Sequence, residues 1–154
     1  MFRRKKDNDY DYDGNDYDRE DNNYHKDYYN KNIMVLDDEP DLVTIVKDIL
    51  QRNGFKNVFA FTNPLFALEN FKINHKDYSL VISDIRMPAM NGFEFVKNII
   101  RVKPDIKVLL MTAFDINNDD LVVMNLKYNN VSGIIQKPVS SKQLAKVMSG
   151  SVMT

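Results

Sequence analysis

Five side chains that could take part in chemistry lie at or directly after the ends of short apolar runs of the sequence. They are three carboxylates, a hydroxyl and an ammonium: Asp37, Asp38, Asp84, Thr112 and Lys137. Clustered carboxylates repel one another unless a hard cation lies among them, and Mg²⁺ prefers carboxylate, carbonyl and water oxygens. If the fold brings these residues together, they suit Mg²⁺-dependent phosphoryl transfer onto a carboxylate, which needs no base to activate it.

Other kinds of chemistry find little support in the composition. The chain has no cysteine, which excludes disulfides, thiolate metal sites and cysteine nucleophiles, and its two histidines, His25 and His75, are far apart in the sequence. Outside the basic cluster at residues 3–6, no stripe of Lys and Arg could follow a nucleic-acid backbone. No apolar run approaches the roughly 18 residues of a membrane span. We therefore expect a soluble, cytoplasmic protein that binds neither nucleic acid nor membrane.

The elements that must position these residues follow from the apolar pattern after Asn32. Short β-branched runs alternate with longer stretches of helical periodicity. The second helix begins at Pro64 and has Leu65, Leu68 and Phe71 as its predicted apolar face. The predicted strands cover residues 33–36, 58–61, 80–82, 106–111 and 134–135, and helices follow them at about 42–50, 64–71, 91–103, 119–127 and 141–148.

This alternation of five strands and five helices predicts a doubly wound α/β domain with a parallel sheet. In such sheets ligands bind beyond the carboxyl ends of the strands, where the strand order reverses. If the order is 2-1-3-4-5, as in flavodoxin-like folds, all five candidate residues converge at one end of the sheet. Taken alone, Asp38 could instead cap the first helix and Asp84 could belong to a simple turn.

The N-terminal residues 1–32 differ from the rest, so we predict a tail over 1–32 and one domain over 33–154. The tail has no Val, Ile or Leu, and residues 7–32 include nine acidic and three basic side chains. Such a composition buries too little apolar surface to offset chain entropy, so we predict disorder. Six of the eight tyrosines lie here, which leaves two interpretations open: a solubilising tail, or a segment that binds partners or aggregates through tyrosine.

Four segments together resemble the receiver domain of response regulators from two-component systems, the CheY-like family. The resemblance runs from about Asn32 to the C-terminus. It implies the flavodoxin-like order 2-1-3-4-5 and a cis peptide bond between Lys137 and Pro138. The matching segments are VLDDEP at 35–40, ISDIRMPAMNG at 82–92, MTA at 111–113 and QKP at 136–138.

The resemblance also implies a role for each candidate residue. Asp84 would be the phosphoacceptor. Asp38, Asp84 and the backbone carbonyl of Arg86 would hold Mg²⁺, with Asp37 acting through a water. Thr112 and Lys137 would each contact a phosphoryl oxygen.

The function implied is phosphorylation by a histidine kinase, followed by binding of a protein partner through the fourth helix, the fifth strand and the last helix. A phosphorylation-dependent dimer is also open. The chain would be no enzyme beyond its own phosphorylation and dephosphorylation.

Two other functions stay open from the sequence. A phosphatase of the haloacid dehalogenase type uses similar residues, but it needs a second Asp two positions after the nucleophile, where this chain has Arg86. A receiver fold could also serve as an interaction module independent of phosphorylation. Ile134 favours that alternative, because the family often has at this position an aromatic residue that moves when Thr112 moves.

Overall fold

The computed structural model describes residues 29–113 and 129–152, together with Asp27. Five strands and four helices lie in these ranges, and the predicted helix 119–127 falls outside them. The strands are β1 (Asn32–Leu36), β2 (Asn57–Phe61), β3 (Tyr78–Asp84), β4 (Lys107–Thr112) and β5 (Val131–Gln136). The helices are α1 (Pro40–Arg52), α2 (Pro64–Asn74), α3 (Gly92–Val102) and α4 (Ser141–Val152).

All five strands are parallel and form one sheet in the order β2-β1-β3-β4-β5. This confirms the expected flavodoxin-like topology. Leu36 is paired with Ser83, Asp84 with Met111, and Thr112 with Gln136. The carboxyl ends of β1, β3, β4 and β5 therefore lie side by side at one edge of the domain.

Apolar residues of the sheet alternate between two cores, one on each face, because successive side chains of a strand point to opposite sides. In β1, Met34 and Leu36 belong to the core covered by α2 and α3, whereas Ile33 and Val35 belong to the core covered by α1 and α4. All four are fully buried. Burial on both faces explains why this strand is continuously apolar.

Local signals set where most of the helices begin and end. The side chains of Asn63, Asn91 and Ser140 accept hydrogen bonds from backbone N–H groups in the first turns of α2, α3 and α4, at 2.9, 2.9 and 3.1 Å. Helix α1 stops before Gly54, whose φ of 100° suits a residue without a Cβ atom. Asn91 thus marks the start of α3, and Gly54 follows the end of α1.

The predicted apolar face of α2 is wrong at one position. Leu68 and Phe71 are buried as expected, but Leu65 is 49% exposed and Ala67 takes its place in the core. Apolar residues lie all around this helix, so their spacing alone does not identify the side that faces the sheet.

The packed part of the chain begins before the predicted boundary at residue 32. Tyr29 is half-buried, and its ring meets that of Phe55 edge-on, with 5.3 Å between the centroids. The backbone N–H of Lys56 also donates to the carbonyl of Tyr29 at 3.3 Å. An aromatic side chain thus joins this end of the tail to the domain. Of the disorder predicted for residues 1–32, the part at 1–26 and 28 lies outside the described ranges.

Gly92 allows α3 to start against the end of β3. A Cβ atom at this position would lie 2.3 Å from the carbonyl oxygen of Asp84 and 2.9 Å from the Cα atom of Ile85. Both neighbours are backbone atoms, so they cannot turn aside as a flexible side chain would. The N–H of Gly92 also donates to the carbonyl of Ile85 at 2.7 Å.

We expect Gly92→Ala to lower the free energy of unfolding by about 2–3 kcal/mol, because the added methyl group forces the backbone of α3 away from β3. Urea denaturation of the two proteins measures this difference. Lys97→Ala, an exposed change in the same helix, should alter stability by less than about 0.5 kcal/mol. Equal stability of Gly92→Ala and the native chain would contradict the close approach.

Candidate functional site

The five residues singled out in the sequence meet at the carboxyl edge of the sheet. Asp37, Asp84 and Thr112 are buried, and Asp38 is half-buried. One carboxylate oxygen each from Asp37, Asp38 and Asp84 lie within 4.8 Å of one another. The convergence expected from the strand order therefore exists.

Lys137 reaches into this cluster from the end of β5. Its Nζ atom lies 2.7 Å from Oδ2 of Asp37 and 3.3 Å from Oδ1 of Asp84, and only 12% of its side chain is exposed. Its backbone N–H donates to the carbonyl of Thr112 at 2.7 Å, which prolongs the pairing of β4 and β5. The Lys137–Pro138 peptide bond is cis, as expected.

The two aspartates in the loop between β1 and α1 do not cap the helix that follows. The residue that precedes α1 is Glu39, and its side chain makes no capping hydrogen bond. Oδ1 of Asp37 instead accepts a hydrogen bond from the N–H of Glu39 at 2.9 Å. The simpler interpretation of Asp38 as the cap of α1 is therefore wrong, and its carboxylate belongs to the acidic cluster.

Asp84 is the last residue of β3, and its Oδ1 atom accepts a hydrogen bond from the N–H of Ile85 at 2.9 Å. The loop that follows includes Arg86, whose side chain is exposed. Ala89 in this loop has a φ of 67°, a conformation that costs a residue with a Cβ atom about 1–2 kcal/mol. The hydrogen bond between Gly92 and Ile85 closes the loop behind Asp84.

Burial and neighbouring charges set the protonation of the site. Burial, and next the negative charge of Asp37, raise the pKa of Asp84 from 3.8 to about 6, although Lys137 and the N–H of Ile85 act in the opposite direction. Burial by itself would lower the pKa of Lys137, but its hydrogen bond and attraction to Asp37, together with Asp84, raise it overall. At neutral pH the lysine is charged and Asp84 is largely ionised.

The oxygen atoms of this cluster fit Mg²⁺. Three carboxylates face one ammonium group, so negative charge is in excess. Oδ2 of Asp37 is fully buried and, apart from its ion pair with Lys137, accepts no hydrogen bond from the part of the chain that the structure describes. A hard divalent cation that prefers oxygen ligands would satisfy both features.

Two features near the site were not singled out in the sequence. Gly92 matters because its missing side chain lets α3 approach Asp84, and Ser83 is buried with its hydroxyl donating to the carbonyl of Asp84 at 2.9 Å. Both residues lie in the segment ISDIRMPAMNG at 82–92 that carries the family resemblance, but the sequence pattern assigned neither of them a role. Ile134 is half-buried and packs against the core under α2 and α3.

We expect Asp84→Asn to stabilise the Mg²⁺-free protein at pH 7.5. A raised native pKa means that folding favours protonated Asp84, so its contribution is full below pH 3.8 and is lost as the pH rises through about 6. Asparagine resembles the protonated form at every pH. Urea denaturation in EDTA should show a gain of roughly 2 kcal/mol at pH 7.5 that shrinks toward pH 4.

Asp105→Asn is the matched control, because Asp105 is exposed. It removes the same charge from a solvated position and should leave stability nearly unchanged at both pH values. An equal gain in the two variants would attribute the effect to net charge rather than to the buried cluster.

Comparison with known proteins agrees with this geometry. Residues 33–149 match the response regulator receiver domain family. The chain is 36% identical over 118 residues to the transcriptional regulatory protein ZraR of Klebsiella oxytoca, covering 77% of this chain and 25% of ZraR. It is 27% identical over 113 residues to the response regulator SaeR of Staphylococcus aureus, covering 73% of this chain and 46% of SaeR. The chain thus spans half or less of these relatives.

Solved structures share the same fold. A response regulator receiver domain protein from Clostridium thermocellum superposes with a TM-score of 0.69 at 23% identity, over 79% of this chain and 94% of that one. An uncharacterised protein from Neptuniibacter caesariensis gives 0.66 at 27% identity, over 79% and 87%. The match over residues 33–149, the strand order and the acidic cluster lead to one conclusion: this chain belongs to the response regulator receiver domain family.

Proposed function

We propose that this receiver domain accepts a phosphoryl group on Asp84 from the phosphohistidine of a histidine kinase, with Mg²⁺ as cofactor. The observation that carries the proposal is the position of Lys137, whose ammonium group lies within 3.3 Å of Asp84 and 2.7 Å of Asp37. A cation placed beside a nucleophilic carboxylate can stabilise the charge of an incoming phosphoryl group.

The reaction needs one bond formed and one broken. An ionised Oδ atom of Asp84 attacks phosphorus in line, while the P–N bond to the donor imidazole breaks and its electron pair returns to nitrogen. Lys137 pairs with a phosphoryl oxygen, and the hydroxyl of Thr112 donates a hydrogen bond to another. A pKa of about 6 leaves Asp84 largely ionised at pH 7.5 and therefore ready to attack.

Asp38, Asp84 and the backbone carbonyl of Arg86 would hold Mg²⁺, with Asp37 acting through a water. When bound, Mg²⁺ neutralises charge on the transferring oxygens. The buried oxygen of Asp37 and the excess of carboxylates support this assignment. The domain acts on its own Asp84 and, in this proposal, converts no separate substrate.

Output would follow from a change in the surface that β5 and α4 form. The Lys137 N–H bonds to the Thr112 carbonyl, so a pull on Thr112 by a phosphoryl oxygen is transmitted to the start of the segment that leads into α4. Phosphorylation adds charge and acceptor oxygens at this point, which can bias such an element between two states. We place the partner-binding surface there, in a cytoplasmic setting where a histidine kinase could reach Asp84.

The half-buried Ile134 favours one alternative. This β5 residue packs against the apolar core, and it offers no aromatic ring to move with Thr112. A receiver fold that binds partners without phosphorylation would keep the fold but need no reactive Asp84.

No helix among the described residues combines the length and hydrophobicity of a membrane span.

We expect the native protein to gain the mass of one phosphoryl group when incubated with acetyl phosphate and Mg²⁺, as measured by intact mass spectrometry. Asp84→Asn should gain none, because its amide cannot attack. Lys137→Met should slow the reaction by at least about tenfold, because a charged contact to the transferring group is lost.

Asp105→Asn changes an exposed carboxylate just before β4, whose other end carries Thr112, and this variant should react like the native protein. Omission of Mg²⁺ should also abolish the mass gain. If the native protein gains no mass although its far-ultraviolet circular dichroism shows it folded, the phosphorylation-independent interaction module becomes the better account.

A further inference from the structure

Strand β2 has one unpaired edge within residues 29–113 and 129–152. It is the outermost strand of the sheet, and in these ranges it pairs with β1 alone. The backbone N–H and C=O groups on the far side of such a strand can pair with a further strand. What this edge can bind therefore depends on which residues of β2 point their backbone groups outward.

One hydrogen bond at the end of β2 identifies these residues. The carbonyl of Phe61 accepts from the N–H of Asp37, the residue that follows β1, at 3.2 Å. The N–H and C=O groups of one residue lie on the same side of a strand, and successive residues alternate. Phe59 therefore also bonds toward β1. Val58 and Ala60 point their backbone groups outward.

The two outward-pointing residues are symmetric about Phe59, the central residue of β2. The side chain of Phe59 is 43% exposed. On its inner side the ring meets that of Tyr78 edge-on, with 5.8 Å between the centroids, and Tyr78 belongs to the core under α2 and α3. An aromatic ring thus stands at the middle of the open edge, with its position fixed from within the domain.

The edge of β2 lacks the features that commonly protect an edge strand. Such strands are often guarded by charged residues, proline or a bulge. The sequence of β2, NVFAF, has neither a charge nor a proline, and its pairing with β1 shows no shift in register. The N–H of Lys56, just before β2, already donates to the carbonyl of Tyr29 at 3.3 Å. The open length is therefore that of β2 itself.

A second copy of β2 fits this edge in antiparallel orientation. With a two-fold axis at Phe59, Val58 of each copy lies opposite Ala60 of the other. Facing residues whose groups point toward each other exchange two hydrogen bonds in an antiparallel ladder. Phe59 then lies opposite Phe59 of the second copy in a non-hydrogen-bonded pair, where side chains are closest and aromatic contacts stabilise the ladder.

The same arrangement creates no repulsion between charges. Lys56 would lie opposite Thr62 of the second copy, and Asn57 opposite Phe61. Like charges directly opposite each other would destabilise such a pair, and none occurs here. Five residues on each side make a small contact, so we expect a dimer of the transient class.

We propose that two copies of this chain pair through the edges of β2, antiparallel and about a two-fold axis at Phe59, which joins their sheets. Strands β2 and β5 are opposite ends of the sheet, so the pairing leaves β5 and α4 free for a partner. The antiparallel arrangement points the two carboxyl edges in opposite directions, and each Asp84 keeps its own approach. The pairing needs no phosphorylation, so it stands or falls separately from the proposed function.

Amide hydrogen exchange, resolved by residue with NMR on the full unphosphorylated chain, tests the arrangement. The amides of Val58 and Ala60 should exchange about threefold more slowly at about 1 mM protein than at about 50 µM, for a dissociation constant on the order of 0.1 mM. The amide of Phe59 already bonds to β1 and should change less. This alternation between neighbouring residues is specific to pairing through the β2 edge.

Sedimentation equilibrium of variants tests the same contact. Ala60→Pro removes an outward donor without touching a bond to β1, and it should raise the dissociation constant at least about tenfold because the donor is lost at both symmetric sites. Ala60→Thr keeps the N–H and is the matched control, which should dimerise like the native chain. Phe59→Lys places two like charges opposite each other and should also weaken the dimer at least about tenfold. Far-ultraviolet circular dichroism checks that each variant is folded.

A native chain that stays monomeric at the highest concentration would overturn the proposal. Protection of Val58 and Ala60 that is equal at every concentration would also overturn it, because part of the same chain would then occupy the edge. So would a dimer that persists in folded Ala60→Pro or Phe59→Lys, because another surface would then form it. Protection that grows with concentration, is lost in these two variants and is kept in Ala60→Thr supports the pairing.

Discussion

The ammonium group of Lys137 is the constraint on which the rest of the site depends. It contacts Asp37 of the β1 end and Asp84 of the β3 end at 2.7 and 3.3 Å. Two buried carboxylates in contact distance would otherwise repel, and removal of a buried partner charge is costly. Lysine suits this place because its long stem carries a compact charge across β4, which separates β5 from β3.

This contact requires the sheet to be assembled in one order. In the arrangement β2-β1-β3-β4-β5, the side chain of Lys137 extends from the end of β5 past β4 to the ends of β3 and β1. Two apolar cores hold that arrangement, one on each face, and the close approach of α3 at Gly92 closes the loop behind Asp84. A buried carboxylate with a raised pKa is therefore held in place by apolar packing on both sides of the sheet.

The two edge strands of the sheet, β5 and β2, differ in how far the apolar side chains near them are buried. Near β5, Ile134 packs against the core. In the proposed function, a change at Thr112 would therefore reach the partner-binding surface through the backbone hydrogen bond between Thr112 and Lys137. Near β2, apolar side chains remain outside, and Tyr29 already ties the start of the chain to Phe55.

The sequence by itself determined the residue types and most of the elements, since strand and helix periodicity, Asn91 and Gly54 act within a few residues. It also placed Asp37, Asp84, Thr112 and Lys137 at or just after strand ends. Three outcomes depended on contacts between strands and helices in the tertiary structure. Asp38 joins the cluster instead of capping α1, and Lys137 bridges two carboxylates. In α2, Ala67 rather than Leu65 faces the core. These outcomes depend on neighbours distant in the chain, which no local pattern specifies.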